Sequence, residues 1–149
     1  MTVLAWDGKT LAADRLASSG TMKATVTKIA RAGDDLIGIC GTLTTGNELR
    51  EWYLNGADSD FFPAAALEDG ETELVVVKPD GKVWVYSGSH MPFQIEDEVC
   101  AFGAGAEAAW GALLCGASAE RAVEVASQIN ITCGNGMDVL RLNKEEAVH

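Results

Sequence analysis

The chain has 149 residues, of which 48% are hydrophobic and 22% are charged. This composition is that of an ordinary globular protein, and the length suits one domain over residues 1–149. Because 22 acidic residues outnumber 11 basic ones, the net charge is −11, and binding to nucleic acid or anionic lipid is not expected. No apolar run approaches the roughly 18 residues of a membrane span and no signal-peptide pattern opens the chain, so we expect a cytoplasmic protein.

Cysteines and histidines are spread along the chain without the close spacing of a metal site or a redox motif. The pattern indicates reduced thiols and predicts neither a metal nor a cofactor. These residues are Cys40, Cys100, Cys115, Cys133, His90 and His149.

The first forty residues predict four β-strands before any helix. An apolar strand at 2–6 is followed by Asp7-Gly8, a dipeptide typical of tight hairpin turns, and by a second strand at 11–13. After a turn at 18–20, an alternating strand runs through 25–29, and an apolar strand follows at 36–40.

A helix and a second hairpin occupy the middle of the chain. Helical spacing begins at Thr44 or Thr45, and Asn55-Gly56 ends the helix. The acidic stretch 57–71 is expected to be a shortened connector with one short helical turn. Apolar residues at 74–77 and 83–86 flank a Pro-Asp-Gly turn, which predicts the clearest hairpin of the chain.

Two helices and a strand are predicted near the end of the chain. After a loop to about Asp97, a short strand at 99–102 leads into a helix that ends near Cys115. Ser118 is a good N-cap for the next helix, a last strand covers 139–142, and the charged tail 143–149 is expected to fray. Mixed strands and helices in this order predict an α+β domain whose helices cover sheet layers.

Thr2 is the first candidate for chemistry because it follows Met1 directly. Removal of Met1 would place a hydroxyl nucleophile and a free α-amine on one residue. The amine has an ordinary pKa of about 7.7–8.0, so it can accept the hydroxyl proton near neutral pH. The alternative is that Thr2 is simply a small second residue.

Further motifs follow Thr2 along nearly the whole chain. They are Ala12-Ala13-Asp14-Arg15, Val26-Thr27-Lys28-Ile29, Cys40-Gly41-Thr42, Gly103-Ala104-Gly105 and Gly134-Asn135-Gly136-Met137-Asp138-Val139. In this order they resemble the proteasome β-subunit and HslV group of N-terminal-nucleophile hydrolases, in a compact form like those of bacteria and phages. The resemblance implies a four-layer αββα sandwich with two antiparallel sheets.

The resemblance also implies a catalytic set. Thr2 would be the nucleophile, Lys28 would stabilise charge on its oxygen, Asp14 would hold Lys28, and the Gly41 N–H would donate to the oxyanion. The alternatives are an exposed ion pair of little consequence, a different lysine, Lys23, and a glycine that only forms a turn.

Three positions depart from the family pattern, although this part of the sequence can be aligned in other ways. Ala104 stands where the family has a serine, Asn130 falls on its supporting aspartate, and Cys133 falls on a serine or threonine. The family's first specificity pocket maps onto four apolar residues, which implies an apolar preference unless they are core residues. They are Ala17, Ala30, Ile39 and Leu43.

The leading hypothesis from the sequence is therefore a proteasome-like threonine peptidase that acts on peptides or unfolded proteins. The resemblance implies a homo-oligomeric ring, and any ATPase unfoldase would be a separate protein. A non-catalytic assembly protein with a degenerate site is the alternative, and an amidase for a small molecule is a third possibility.

Overall fold

The computed structural model describes residues 2–142, so the tail predicted to fray lies outside the described residues. The strands are β1 (Leu4–Trp6), β2 (Thr10–Asp14), β3 (Leu16–Ser19), β4 (Met22–Thr25), β5 (Ile29–Ala32), β6 (Asp35–Cys40), β7 (Glu73–Val77), β8 (Val83–Ser87), β9 (Phe93–Ile95), β10 (Cys100–Phe102) and β11 (Met137–Arg141). The helices are α1 (Leu43–Leu54), α2 (Ala64–Asp69), α3 (Ala106–Leu114) and α4 (Ala119–Ile129), and a 3-10 turn spans Ser59–Phe61.

The strands form two large antiparallel sheets and one small ribbon. The first sheet has the order β10-β1-β2-β11, and the second has the order β5-β6-β7-β8-β9. In the first sheet, Leu4 lies opposite Ala13 on one side and Phe102 on the other. The ribbon pairs β3 with β4 and carries the chain from the first sheet to the second.

Alternation along the strands divides the side chains between two layers. Leu4 and Trp6 of β1 are buried between the two sheets, whereas Val3 and Ala5 are buried against α3 and α4. Because neighbouring residues of a strand point to opposite faces, both faces of the first sheet are covered.

Helices cover the outer face of each sheet. The apolar face of α4 is built from alanines and one valine that are all fully buried, and the Ser118 hydroxyl accepts a hydrogen bond from the Arg121 N–H at its start. On the second sheet, Leu49 and Trp52 of α1 pack against Ile39. The layers run α3 and α4, first sheet, second sheet, then α1 and α2, which confirms the four-layer α+β sandwich.

The structure differs from the sequence prediction in the number of strands. The prediction of four strands before the first helix is wrong, because six strands precede α1. The single strand predicted at 25–29 is replaced by the end of β4 and the start of β5, with residues 26–28 in neither, and β3 lies before the turn at Gly20 and Thr21. The predicted loop before Asp97 contains β9, which pairs with β8. Short strands of this kind form through pairing and have weak local signals.

The connector 57–71 contains two short helical elements, a 3-10 turn and α2, where one was predicted. The Asp58 carboxylate accepts a hydrogen bond from the Asp60 N–H, and Gly70 ends α2 with a φ of +59°. No helix within residues 2–142 has the length and apolar character needed to cross a bilayer.

Candidate active site

Asp14 is a fully buried carboxylate at the end of β2. Its Oδ1 accepts hydrogen bonds from Lys28 Nζ at 2.8 Å and from the Val3 N–H at 3.0 Å. Its Oδ2 accepts from the Gly134 N–H at 3.0 Å and the Leu16 N–H at 3.3 Å. A buried charge is stable only with such compensation, so Asp14 organises four separate parts of the chain.

Lys28 reaches Asp14 from the segment between β4 and β5. Its side chain is 1% exposed, and its carbonyl accepts a hydrogen bond from the Ile39 N–H at 2.9 Å. The alternative of an exposed ion pair is therefore wrong. Lys23, the other candidate lysine, lies on β4 with an exposed side chain.

Thr2 lies two residues before β1 and is linked to Asp14 through the next residue of the chain. Its neighbour Val3 donates its N–H to Asp14, and its own carbonyl accepts from the Gly105 N–H at 3.1 Å. Gly103 packs so closely on the Thr2 carbonyl that a Cβ there would overlap it. Thr2 is 2% exposed in the chain that carries Met1. The peptide between Thr2 and Val3 is thus held between a glycine turn and the Asp14 carboxylate.

Gly41 follows β6 and has a φ of +109°, a conformation that favours glycine. A Cβ at this position would lie 2.7 Å from Thr72 Cα, so a larger residue does not fit. The Gly41 N–H makes no hydrogen bond within residues 2–142, whereas the next N–H, of Thr42, donates to Thr72 Oγ1. Gly41 therefore presents a backbone donor without a partner among the described residues.

Comparison with known proteins supports this architecture at the level of fold. No protein-family model matches the sequence, and no curated protein matches it. The structure of Thiobacillus denitrificans BPH in complex with epoxomicin has a TM-score of 0.72 and 20% identity, covering 96% of this chain and 100% of that chain. Eukaryotic HslV from Trypanosoma brucei has a TM-score of 0.69 and 22% identity, covering 94% and 97%.

The chain has the HslV fold. A second structure of Thiobacillus denitrificans BPH has a TM-score of 0.65 and 20% identity, covering 96% of this chain and 99% of that chain. The likeness extends over nearly the full length of each chain and confirms the resemblance inferred from the motifs, as one of fold.

The three positions that depart from the family pattern lie close together in this HslV fold. Asn130 Nδ2 donates to the Ala104 carbonyl at 3.1 Å, and Asn130 Oδ1 accepts from Thr132 Oγ1 at 2.6 Å. Burial and the negative charge of Asp14 raise the pKa of the Cys133 thiol. Thr132 was missed by the sequence analysis because the motif comparison placed the hydroxyl position on Cys133.

The four residues predicted to line a specificity pocket differ in burial, since Ile39 is buried and the other three are half-buried. Ile39, on β6 of the second sheet, is buried under α1, where it contacts Gly46. Ala30 and Leu43 pack against the apolar cluster that contains Ile39. Ala17 lies half-buried on β3, outside that cluster. The position of Ile39 is that of a core residue.

Cys40 adds a thiol to the same end of the sandwich. Its Sγ donates to Glu73 Oε1 at 3.6 Å, and burial together with the Glu73 carboxylate raises the pKa of the thiol. Cys40 is therefore a protonated, buried thiol and an unsuitable nucleophile.

Proposed function

We propose that this protein is a threonine peptidase that hydrolyses peptide bonds with the Thr2 hydroxyl after removal of Met1. The observation that carries the proposal is the buried Asp14–Lys28 pair, at 2.8 Å, joined to the Thr2 region through the Val3 N–H. A buried lysine ammonium next to a candidate nucleophile is suited to stabilise negative charge on oxygen.

In the proposed reaction, the freed α-amine of Thr2 accepts the hydroxyl proton while the oxygen attacks the peptide carbonyl carbon. A C–O bond forms, the scissile C–N bond breaks, and the leaving amine takes the proton. Water then hydrolyses the resulting ester and restores the Thr2 hydroxyl.

Each remaining candidate has a role that its position supports. The Lys28 ammonium favours the alkoxide, and Asp14 holds that ammonium in place. The Gly41 N–H donates to the oxyanion of the tetrahedral intermediate. Ala104, Asn130 and Cys133 form the supporting group beside Thr2.

We further propose that the protein acts as a cytoplasmic homo-oligomeric ring on peptides or unfolded proteins. The HslV fold supports the ring, and the apolar character of Ala17, Ala30 and Leu43 supports apolar side chains in the substrate. An ATPase that unfolds substrates would be a separate partner.

A non-catalytic assembly protein is the second candidate function, and one observation favours it. Ala104 has no hydroxyl to offer at the turn beside Thr2, so the support for the nucleophile's amine is reduced. This alternative predicts the same assembly without turnover.

The two functions are separated by the intact mass of the purified protein, measured before and after incubation with epoxomicin, the compound in the BPH complex. A peptidase should lack Met1, gain the inhibitor mass under denaturing conditions, and cleave apolar peptide reporters. Thr2→Ala should abolish both the mass gain and the cleavage, while Thr21→Ala, which changes an exposed threonine, should alter neither. Retained Met1 together with absent cleavage would rule out the peptidase.

A further inference from the structure

Arg15 directly follows Asp14, and its side chain contacts the segment that leads to Lys28. Arg15 Nε donates to the Val26 carbonyl at 3.3 Å, and Nη2 donates to Thr27 Oγ1 at 3.4 Å. Two consecutive residues, the last of β2 and the one after it, therefore hold one segment. Asp14 holds the Lys28 ammonium, and Arg15 holds the two residues before Lys28.

The main chain of Arg15 repeats this arrangement. Its carbonyl accepts from the Val26 N–H at 2.8 Å, and its N–H donates to the Gly134 carbonyl at 3.0 Å. The Gly134 N–H in turn donates to Asp14. Asp14 and Arg15 thus both bond to Gly134, which connects them to the chain that leads into β11.

Asp138 on β11 provides the charge that orients Arg15. Its Oδ2 lies 3.2 Å from Arg15 Nε, and the two side chains are 30% and 35% exposed. This oxygen is itself buried and accepts no well-aligned hydrogen bond within residues 2–142, because the Nε–H is directed at Val26. The ion pair is therefore what compensates its charge.

The segment that Arg15 holds needs such support. Residues 26–28 lie between β4 and β5 and belong to neither strand, and within residues 2–142 their main chain is held by one backbone–backbone hydrogen bond at Val26 and one at Lys28. The Lys28 side chain is long, and the position of its ammonium depends on where its main chain lies. A displacement of about 1 Å at a catalytic group can cost about 100-fold in rate.

We propose that Arg15, oriented by Asp138, is a positioning residue that fixes residues 26–28 and so keeps the Lys28 ammonium on Asp14. The kinetic consequence of this inference rests on the proposed function. The structural consequence, a looser Lys28, does not.

The kinetic test uses Arg15→Gln, Asp138→Asn and the double variant in the full-length protein. Arg15→Gln should lower kcat by about tenfold or more with KM within about twofold, since Arg15 acts through Lys28 and not on substrate. Asp138→Asn should lower kcat less, and the double variant should be no worse than Arg15→Gln. Arg31→Gln is the matched control and should match wild type. Arg31 Nη2 donates to the Arg141 carbonyl at 2.8 Å, and this bond does not involve Lys28.

The structural test follows exchange of the Lys28 ammonium protons by NMR of ¹⁵N-lysine-labelled protein, with the signal assigned through Lys28→Arg. Exchange should be slow in wild type and Arg31→Gln, and several-fold faster in Arg15→Gln and Asp138→Asn. If Arg15→Gln does not fold, the exchange rate of the Lys28 ammonium in the isosteric variant Asp138→Asn tests the inference.

Wild-type exchange of the Lys28 ammonium in the Arg15 and Asp138 variants would overturn the inference, whatever happens to kcat. If exchange is faster in these variants but the wild-type protein shows neither cleavage nor labelling, the positioning role of Arg15 stands and the proposed function fails. The two failures are therefore distinguishable.

Discussion

At the scale of single residues, Asp14 is the point on which the candidate site depends. Its two oxygens accept one ammonium and three backbone N–H groups from four parts of the chain. A carboxylate can accept all four hydrogen bonds, whereas the amide of an asparagine would direct its own N–H groups at one or more of these donors. The side chain therefore has a structural role in addition to its proposed catalytic one.

We expect Asp14→Asn to lower the free energy of unfolding by about 3–5 kcal/mol, because it removes the buried carboxylate that pairs with the Lys28 ammonium. Urea denaturation at neutral pH measures the effect. Glu124→Gln, which breaks the exposed Arg121–Glu124 pair, is the control and should cause little change. A loss below about 1 kcal/mol in Asp14→Asn would contradict this view of the buried pair.

Gly103 provides a second prediction at this scale. Gly103→Ala places a Cβ against the Thr2 carbonyl at a φ of +91°, so it should both destabilise the fold and slow epoxomicin labelling of Thr2. Gly20→Ala has a φ of +59° with open space around it and should cost about 1 kcal/mol without affecting labelling. Thermal unfolding and labelling rates of the two variants make the comparison, and equal effects would refute a specific contact with Thr2.

At the scale of elements, α1 is attached to the second sheet by a polar contact as well as by its apolar face. The Tyr53 hydroxyl donates to Asp35 Oδ2 at 2.6 Å, and Lys78 Nζ lies 3.1 Å from both that carboxylate oxygen and the Tyr53 hydroxyl. Burial, followed by the hydrogen bond to Asp35, raises the pKa of Tyr53 to about 12. The contact joins α1 to β6 and to the end of β7.

This contact predicts a pH dependence of stability. Since the pKa of Tyr53 is raised from 10.0 to about 12 in the folded state, the folded protein holds the phenol proton more tightly than the unfolded chain. The contribution of protonated Tyr53 to the free energy of unfolding is complete below about pH 10 and is lost as the pH rises toward 12. Urea denaturation of wild type and Tyr53→Phe at pH 9 and 11 should show a smaller difference at pH 11. A constant difference would exclude the linkage.

At the scale of the whole molecule, two sheets and two helical layers bury the core but leave several large apolar side chains exposed. Ile129 and Ile131 stand close together at the end of α4, with 70% and 94% of their surfaces exposed. Adjacent exposed apolar residues are typical of surfaces that meet another chain. They are consistent with the proposed assembly of identical subunits.

We expect native mass spectrometry to find a closed homo-oligomer whose mass is a multiple of the 15.7 kDa subunit, less any Met1 removed. Dilution should leave the species intact if the interface is obligate. Ile131→Glu should reduce the oligomer relative to Leu67→Glu, a control on α2 with an exposed side chain. A monomer at high protein concentration would contradict the ring.

How far the sequence predicted the site can be seen from particular residues. The order of motifs along the chain proposed Asp14, Lys28 and Gly41 as one site, and the structure pairs Asp14 with Lys28. That order gave no signal for the contacts of Arg15 and Thr132, because no local pattern encodes them. Arg15 meets Thr27 only after β2 and the 26–28 segment have come together. The strand β9 was missed for the same reason, since it depends on pairing with β8.

The sequence by itself determined the turns, most of the helices, and the alternation that builds two covered sheets. These follow from interactions between residues a few positions apart, such as the Ser118 cap and the Asp7-Gly8 turn. Only the tertiary structure decided that Lys28 is buried on Asp14 and that Asn130 holds the Ala104 carbonyl. Burial and long-range partners depend on how the layers pack, because desolvation of a charge is a property of everything that surrounds it.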